Sequence, residues 1–100
     1  MRPSPEEVLS ILRDRVVDPE LGVNIVDLGL VYEVRVEEGR ILVDMTLTTP
    51  ACPLAALLPA QVEEVLREQF SSHEVEVNLV WEPRWTPERM SEEVRRMFEA

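Results

Sequence analysis

Apolar residues at helical spacing open the chain, and they are Val8, Ile11, Leu12 and Val16. Before them stands Ser4-Pro5-Glu6-Glu7, in which the serine can accept a hydrogen bond from the third amide and the proline has no N–H to lose. We therefore predict a first helix that ends near Val16. Asp18 precedes a proline, which disfavours helix, so residues 18–29 are predicted to form a loop.

Two stretches of strict alternation follow the loop. Apolar members of the first are Leu30, Tyr32, Val34 and Val36, and those of the second are Ile41, Val43, Met45 and Leu47. Alternation with a short link at Glu38-Gly39 predicts a β-hairpin. A symmetric link gives the pairs Val36–Ile41, Val34–Val43, Tyr32–Met45 and Leu30–Leu47, whereas a bulge at Gly39 would shift them by one position.

Helical spacing returns over residues 53–70, where Pro59 lies inside the pattern and predicts a kink. A third strand is predicted from Val75 to Trp81 by renewed alternation, and Thr86-Pro87-Glu88 repeats the cap signature before a C-terminal helix. The order helix, strand, strand, helix, strand, helix predicts a two-layer α+β domain over residues 1–100. Its helices would cover one face of a small mixed sheet.

Length, charge and cysteine content narrow the function. The chain has 100 residues and a net charge of -10 from 20 acidic and 10 basic residues, which opposes binding to nucleic acid or to anionic membranes. No apolar stretch approaches the roughly 20 residues of a membrane span. Cys52 is the single cysteine, so no internal disulfide can form and a cytoplasmic location is expected.

The topology should gather distant segments at one end of the sheet. The end of the second strand lies beside the start of the first in a hairpin, and a third strand parallel to the second ends at the same place. Residues 18–29, residues 48–53 and the region of Trp81 should therefore meet at one rim. His73 and the hairpin turn should lie at the opposite rim, on the order of 15 Å away.

Cys52 is the main candidate for chemistry at that rim. It precedes Pro53, so it is predicted at the N-cap of the second helix, where the helix dipole favours thiolate. A small buried hydrophobic residue is the alternative. A Cys–His dyad is disfavoured because the only histidine, His73, is expected at the other rim as a solvated loop residue. An enzyme is therefore less expected than an assembly or carrier factor.

One thiol cannot hold a cluster that usually takes four cysteines. We expect transient ligation that a second subunit, a client protein or a small thiol completes. Carboxylates flank the proline of Asp18-Pro19-Glu20 and could ligate metal or accept protons, although ordinary turn chemistry is the alternative. Asp27 needs a partner, either Thr48-Thr49 or Arg84, and the two threonines could simply finish the strand.

Three blocks of the sequence together form the pattern of a known protein family. They are Asp18–Gly22 continuing through Asn24–Tyr32, the TTPACP run at Thr48–Pro53, and the tryptophan-containing stretch Trp81–Ser91. Together they resemble the PaaD/SufT metal-sulfur cluster assembly family, which includes the eukaryotic cytosolic iron-sulfur targeting factors. Family members commonly have Asp-Pro-Pro-Trp where this chain has Glu82-Pro83-Arg84-Trp85. The cysteine-rich tail of PaaD proteins that serve phenylacetyl-CoA oxygenase is absent, which weakens assignment to that pathway.

The resemblance implies an iron-sulfur cluster assembly domain-like fold and a role in assembling or delivering iron-sulfur clusters. The family's conserved cysteine matches Cys52, its acidic loop matches Asp18 and Glu20, and its threonines match Thr48 and Thr49. A transient cluster or iron is the implied cofactor, with none bound stably by one chain. Scaffold, carrier or client proteins are the implied partners, and a homodimer is one possible state. The alternative is a noncatalytic adaptor that docks clients through its acidic surface and the Trp85 region.

Overall fold

The structure is a computed structural model that describes residues 3–18, 21–47 and 57–98. Its elements are α1 (Pro5–Arg15), β1 (Val31–Glu37), β2 (Arg40–Met45), α2 (Leu58–Gln69), β3 (Glu74–Leu79) and α3 (Glu92–Phe98), with a 3-10 turn at Pro87–Arg89. The three strands form one mixed sheet in the order β1-β2-β3. The predicted α+β fold class and element order are confirmed.

The first helix forms as its cap predicts. The Ser4 hydroxyl oxygen accepts a hydrogen bond from the Glu7 amide at 3.2 Å, and a proline occupies the first turn. Val8 and Leu12 are fully buried, so the apolar stripe of α1 faces the core. The helix ends at Arg15, and the next residue, Val16, is already extended.

The hairpin is confirmed near its turn and corrected at its far end. Val36 pairs with Ile41 and Val34 with Val43, so the turn at Glu38-Gly39 leaves the register unshifted. The irregularity lies at Tyr32 instead, because Val31 rather than Tyr32 pairs with Met45. The predicted pairs Tyr32–Met45 and Leu30–Leu47 are therefore wrong. Leu30 instead accepts a hydrogen bond from the Thr46 amide at 2.8 Å.

The third strand runs parallel to the second, as the crossover through α2 requires. Ile41 pairs with Val75 and Met45 with Leu79. Backbone bonds continue the ladder beyond both ends, from the Glu74 amide to Gly39 and from the Val80 amide to Met45, each at 2.8 Å. The ends of β2 and β3 thus share one end of the sheet, which we call the site rim.

The second helix differs from its prediction. As described, α2 begins at Leu58, Leu57 occupies its N-cap, and Pro59 lies in its first turn. The predicted kink at Pro59 is wrong, because a proline in the first turn has no intrahelical bond to remove. The N-cap of α2 is likewise not Cys52, which lies outside the described residues, as do residues 53–56.

The C-terminal helix also begins later than predicted. After Thr86 the chain makes the 3-10 turn at Pro87–Arg89, and Met90 is extended, so the helix does not continue through it. Ser91 caps α3, since its hydroxyl oxygen accepts a hydrogen bond from the Val94 amide at 3.3 Å. Thr86 makes no capping bond to the backbone. The cap signature at Thr86 therefore begins only a single 3-10 turn.

The core lies between the helices and one face of the sheet. Its fully buried members include Leu12, Ile25, Leu28, Leu30, Ile41, Val43, Met45, Leu58, Val62 and Leu66. Both helices and the 21–30 loop contribute, so the loop is a packed part of the domain. No helix among the described residues has the length and apolarity needed to cross a membrane.

Candidate functional site

The predicted site residues divide into one that the structure describes and four that it does not. Asp18 is described, whereas Glu20, Thr48, Thr49 and Cys52 lie outside the described residues. What the structure does describe is a frame of segments at the site rim. This frame consists of the ends of β2 and β3, the 21–30 loop and the segment that follows β3.

Asp18 shapes the start of the loop. Its side chain is buried, with only 2% of the residue exposed, and its Oδ1 accepts a hydrogen bond from the Leu21 amide at 3.2 Å. Its carbonyl accepts from the Gly22 amide at 2.8 Å, and its own amide donates to the Val23 carbonyl at 2.9 Å. This is the turn chemistry considered as the alternative for Asp18. The carboxylate therefore has an evident part in fixing the loop.

Asp27 has described partners that were not predicted, and the Thr48 and Thr49 alternative lies outside the described residues. Asn24 Nδ2 donates to Asp27 Oδ2 at 2.8 Å, and the Asp27 amide donates to Asn24 Oδ1 at the same distance. The nearby cation is Arg13 of α1, whose Nε lies 3.5 Å from Asp27 Oδ1, and not Arg84. Because Asn24 is only three residues away, the loop satisfies this carboxylate mainly by itself.

Residues 81–91, which we call the C-terminal strap, cross over the 21–30 loop. The Trp85 indole N–H donates to the Leu28 carbonyl at 2.8 Å, and the Ser91 amide donates to the Asp27 carbonyl at 2.7 Å. Gly29 has a φ of +77° and lies directly against the Arg89 backbone, leaving no room for a Cβ atom. The third sequence block therefore packs on the first.

Tyr32 adds a second set of contacts to the strap. Its hydroxyl donates to the Pro83 carbonyl at 2.8 Å, and the Arg89 guanidinium carbon lies 4.5 Å from the centre of its ring, a cation–π distance. An open groove of 490 Å³ runs between these side chains, Val26 and Val31. The contacts of Tyr32 and Arg89 with the strap and the ring were not predicted, and Gly29 before the strand was the only local signal of a close approach.

The predicted contents of the two rims are confirmed for the described segments, whereas residues 48–53 lie outside them. At the site rim the Thr46 amide donates to the Leu30 carbonyl and the Val80 amide donates to the Met45 carbonyl, and the loop leads directly into this rim. His73 precedes β3 at the opposite rim, next to the hairpin turn, where its Nδ1 lies 3.2 Å from the Ser72 hydroxyl. Within residues 3–18, 21–47 and 57–98, no three histidine, cysteine or acidic side chains are grouped to hold a metal ion.

Comparison with known sequences adds the decisive observation. The profile of a family described as iron-sulfur cluster assembly protein matches residues 5–79. The chain belongs to this iron-sulfur cluster assembly family. Among its relatives, the Staphylococcus aureus Fe-S protein maturation auxiliary factor SufT is 52% identical over 77 residues, which are 76% of this chain and 88% of the relative. The Bacillus subtilis factor YitW is 45% identical, covering 86% of this chain and 84% of its own.

Solved structures of the family agree with this architecture. A Bacillus anthracis domain of unknown function superposes with a TM-score of 0.86 at 40% identity and covers 94% of this chain and 90% of its own. The family profile ends at residue 79, so the strap lies beyond it. In this member of the family, the strap nevertheless supplies contacts to a loop inside the profile.

Proposed function

We propose that this chain is an auxiliary factor in the maturation of iron-sulfur proteins and that Cys52 is its working group. The observation that carries the proposal is the family match over residues 5–79. Relatives of similar length are named as iron-sulfur protein maturation factors, and a larger Synechocystis protein, named as an iron-sulfur cluster carrier, contains a segment 34% identical to residues of this chain. A role in assembling or delivering clusters follows for this chain.

A thiolate is the chemistry that this role needs. Sulfur in its ionised form is the ligand that iron in clusters accepts, and Cys52 is the only thiol of the chain. Because one thiolate leaves other iron positions unfilled, the bond is transient, and the remaining ligands come from a scaffold, carrier or client protein. We place Glu20, Thr48 and Thr49 beside the thiol as polar neighbours. Asp18 holds the adjoining loop in shape.

The supporting geometry is the convergence of segments at the site rim. The 21–30 loop, the end of β2 and the end of β3 meet there, and residues 48–56 leave β2 from this end. An incoming cluster would thus be met by a rigid frame and not by an isolated loop. We further propose that residues 1–100 act as one domain, in the cytoplasm.

The test replaces the sulfur alone. Cys52→Ser keeps the size and polarity of the side chain but removes the soft ligand. Purified wild type and variant are incubated anaerobically with ferrous iron, sulfide and a small thiol that supplies the remaining ligands, and bound iron and visible absorbance are measured; the wild type should gain both, and the variant neither. In cells that lack the native protein, the variant should fail to restore the cluster content of iron-sulfur enzymes. Full restoration by Cys52→Ser would refute the thiolate mechanism.

A docking adaptor is the second candidate, and one observation favours it. Trp81 is 42% exposed at the start of the strap, an unusual position for a large aromatic side chain. Trp85, expected to share in docking, is instead engaged with the Leu28 carbonyl. If the protein is only an adaptor, Cys52→Ser will retain function, whereas reversing the charge of the acidic loop at Glu20 will abolish capture of partners.

A further inference from the structure

The β3 strand has one edge that faces outward. β3 is the last strand of the sheet, and only its other edge pairs with β2. The amides of Glu74 and Val80 donate to the β2 side, and edge-facing groups alternate along a strand. The amides and carbonyls of Val75, Val77 and Leu79 therefore point away from β2. Among the described ranges, no strand pairs with them.

Among the described residues, this edge carries the charged side chains of Glu74 and Glu76 but lacks the other devices that usually protect an exposed strand. β3 has six residues, pairs with β2 in uninterrupted register, and contains neither proline nor lysine. Exposed edges are ordinarily blunted by such residues, by bulges or by a covering segment. The opposite edge of the sheet shows this protection, because β1 is irregular at Tyr32 and the strap attaches there through Pro83.

The side chains along β3 indicate which kind of partner segment would fit beside it. On the helix side of the sheet, Leu79 is 40% exposed, and Trp81 just beyond is exposed to a similar extent. On the other side, the Glu74 and Glu76 side chains are 85% and 51% exposed, and Arg40 lies 4.0 and 3.6 Å from them. Arg67 and His73 line a shared cavity with these three residues, so the two glutamates are only partly neutralised. The edge thus presents backbone groups between an apolar face and an acidic face.

We propose that the outward edge of β3 binds an extended segment of a partner protein in which apolar and basic residues alternate. The segment would add a fourth strand, with its apolar side chains beside Leu79 and its basic side chains opposite Glu74 and Glu76. Backbone bonds give such pairing its affinity and the side-chain pattern gives its specificity.

A second copy of the chain is the less favoured occupant. Pairing β3 with β3 would bring glutamates into cross-strand proximity, and like charges directly opposite are destabilising. Each copy also carries a net charge of -10. The inference goes beyond the proposed function and does not rest on Cys52, since the edge lies on described residues of the sheet alone.

The test uses a defined probe and the full chain. An acetylated and amidated eleven-residue peptide of alternating valine and lysine is titrated against isotope-labelled protein, and amide resonances are followed by NMR. Binding should shift the Val75, Val77 and Leu79 amides most. Two further peptides are N-methylated, one at every valine and the other at every lysine, so that both keep the same charge.

Alternate residues of a strand face opposite edges. When the segment pairs with β3, one methylated peptide therefore directs its free N–H groups towards β3, and the other directs its N-methyl groups there. We expect the peptide whose free N–H groups face β3 to bind nearly as the parent, and the one whose N-methyl groups face β3 to bind at least tenfold more weakly, on the scale of several lost hydrogen bonds. Equal affinities would mean charge attraction alone, and no binding would remove the site; either result overturns the proposal. Self-association detected by sedimentation and reversed by the peptide would overturn it in favour of a second copy.

A matched pair of protein variants tests the acidic face. Glu76→Lys should weaken the valine–lysine peptide and strengthen a valine–glutamate peptide, whereas Glu93→Lys on α3 makes the same change of net charge away from β3 and should alter neither. Equal effects from both variants would contradict the stated partner chemistry. Cys52→Ser should bind the peptide as wild type does, so this inference and the proposed function can fail separately.

Discussion

Replacing Gly29 by alanine should release the C-terminal strap from the 21–30 loop. An ideal Cβ at this position would lie 2.6 Å from the Arg89 carbonyl carbon and 2.7 Å from the Arg89 Cβ, and closer still to the carbonyl oxygen. Ordinary contacts of this kind are about 3.5–4.0 Å, so backbone must move. The 21–30 loop should move less than the strap, because Leu28 beside Gly29 is fully buried. The strap is therefore the part that should lift.

The magnitude follows from what the strap would lose. A non-glycine residue at positive φ costs roughly 1–2 kcal/mol by itself. Lifting the strap also removes the hydrogen bonds from Trp85 and Ser91, at roughly 0.5–1.5 kcal/mol each, and the stacking of Arg89 on Tyr32 at roughly 0.5–1 kcal/mol. Detachment should thus add roughly 1.5–4 kcal/mol to the conformational cost.

The chain supplies its own controls for the conformational part. Gly22 and Gly39 also have positive φ, +71° and +75°, but a Cβ at either would meet no atom within 4 Å. Gly22→Ala and Gly39→Ala should therefore cost only the conformational term. The assay is urea unfolding followed by circular dichroism, with the Trp85 indole N–H resonance as a local report. If Gly29→Ala loses no more stability than the two controls and keeps that resonance, the close-approach argument is refuted.

Two smaller changes probe the strap directly. Trp85→Phe removes the indole donor to the Leu28 carbonyl and should lower the free energy of unfolding by about 1–2 kcal/mol; an unchanged urea midpoint would contradict that role. The Thr86 hydroxyl, followed by the backbone amide of Glu88 itself, lowers the pKa of the Glu88 carboxyl. A carboxyl whose pKa is lowered by folding stabilises the folded chain at pH values above the ordinary glutamate pKa. This stabilisation is lost as the pH falls through the pKa of the folded state. Thr86→Val should raise the pKa of Glu88 in an NMR titration, and an unchanged value would exclude the hydroxyl as the cause.

Local signals predicted most of the fold. The cap at Ser4, the alternation in the strands and the parallel return of β3 were all predicted from spacing and are observed. Errors arose where a distant segment intervened. The bulge at Tyr32 accompanies its bond to Pro83, fifty-one residues away, and no pattern within the hairpin encodes that contact. The kink at Pro59 was wrongly predicted because the apolar residues before Leu58 continue the helical spacing, so the sequence placed the proline inside the helix and not in its first turn.

The candidate site was predicted by a different route. The meeting of loop and strand ends follows from topology, which the element order determines. The partners of Asp27 do not, since choosing Asn24 and Arg13 over Arg84 depends on side-chain positions that sequence spacing leaves open. The roles of Cys52, Thr48, Thr49 and Glu20 remain predictions, which rest on the family resemblance and on the topology.

The attachment of residues 81–91 to the 21–30 loop also constrains when the protein can fold. A ribosome makes the chain from its amino end, so the loop, the hairpin and α2 all emerge before Trp85 and Ser91 exist. Until those two residues leave the exit tunnel, the carbonyls of Leu28 and Asp27 must be hydrated or bound by a chaperone. The nascent polypeptide therefore completes this region only after Ser91 has left the exit tunnel, and a ribosome stalled before Ser91 would display it unfinished.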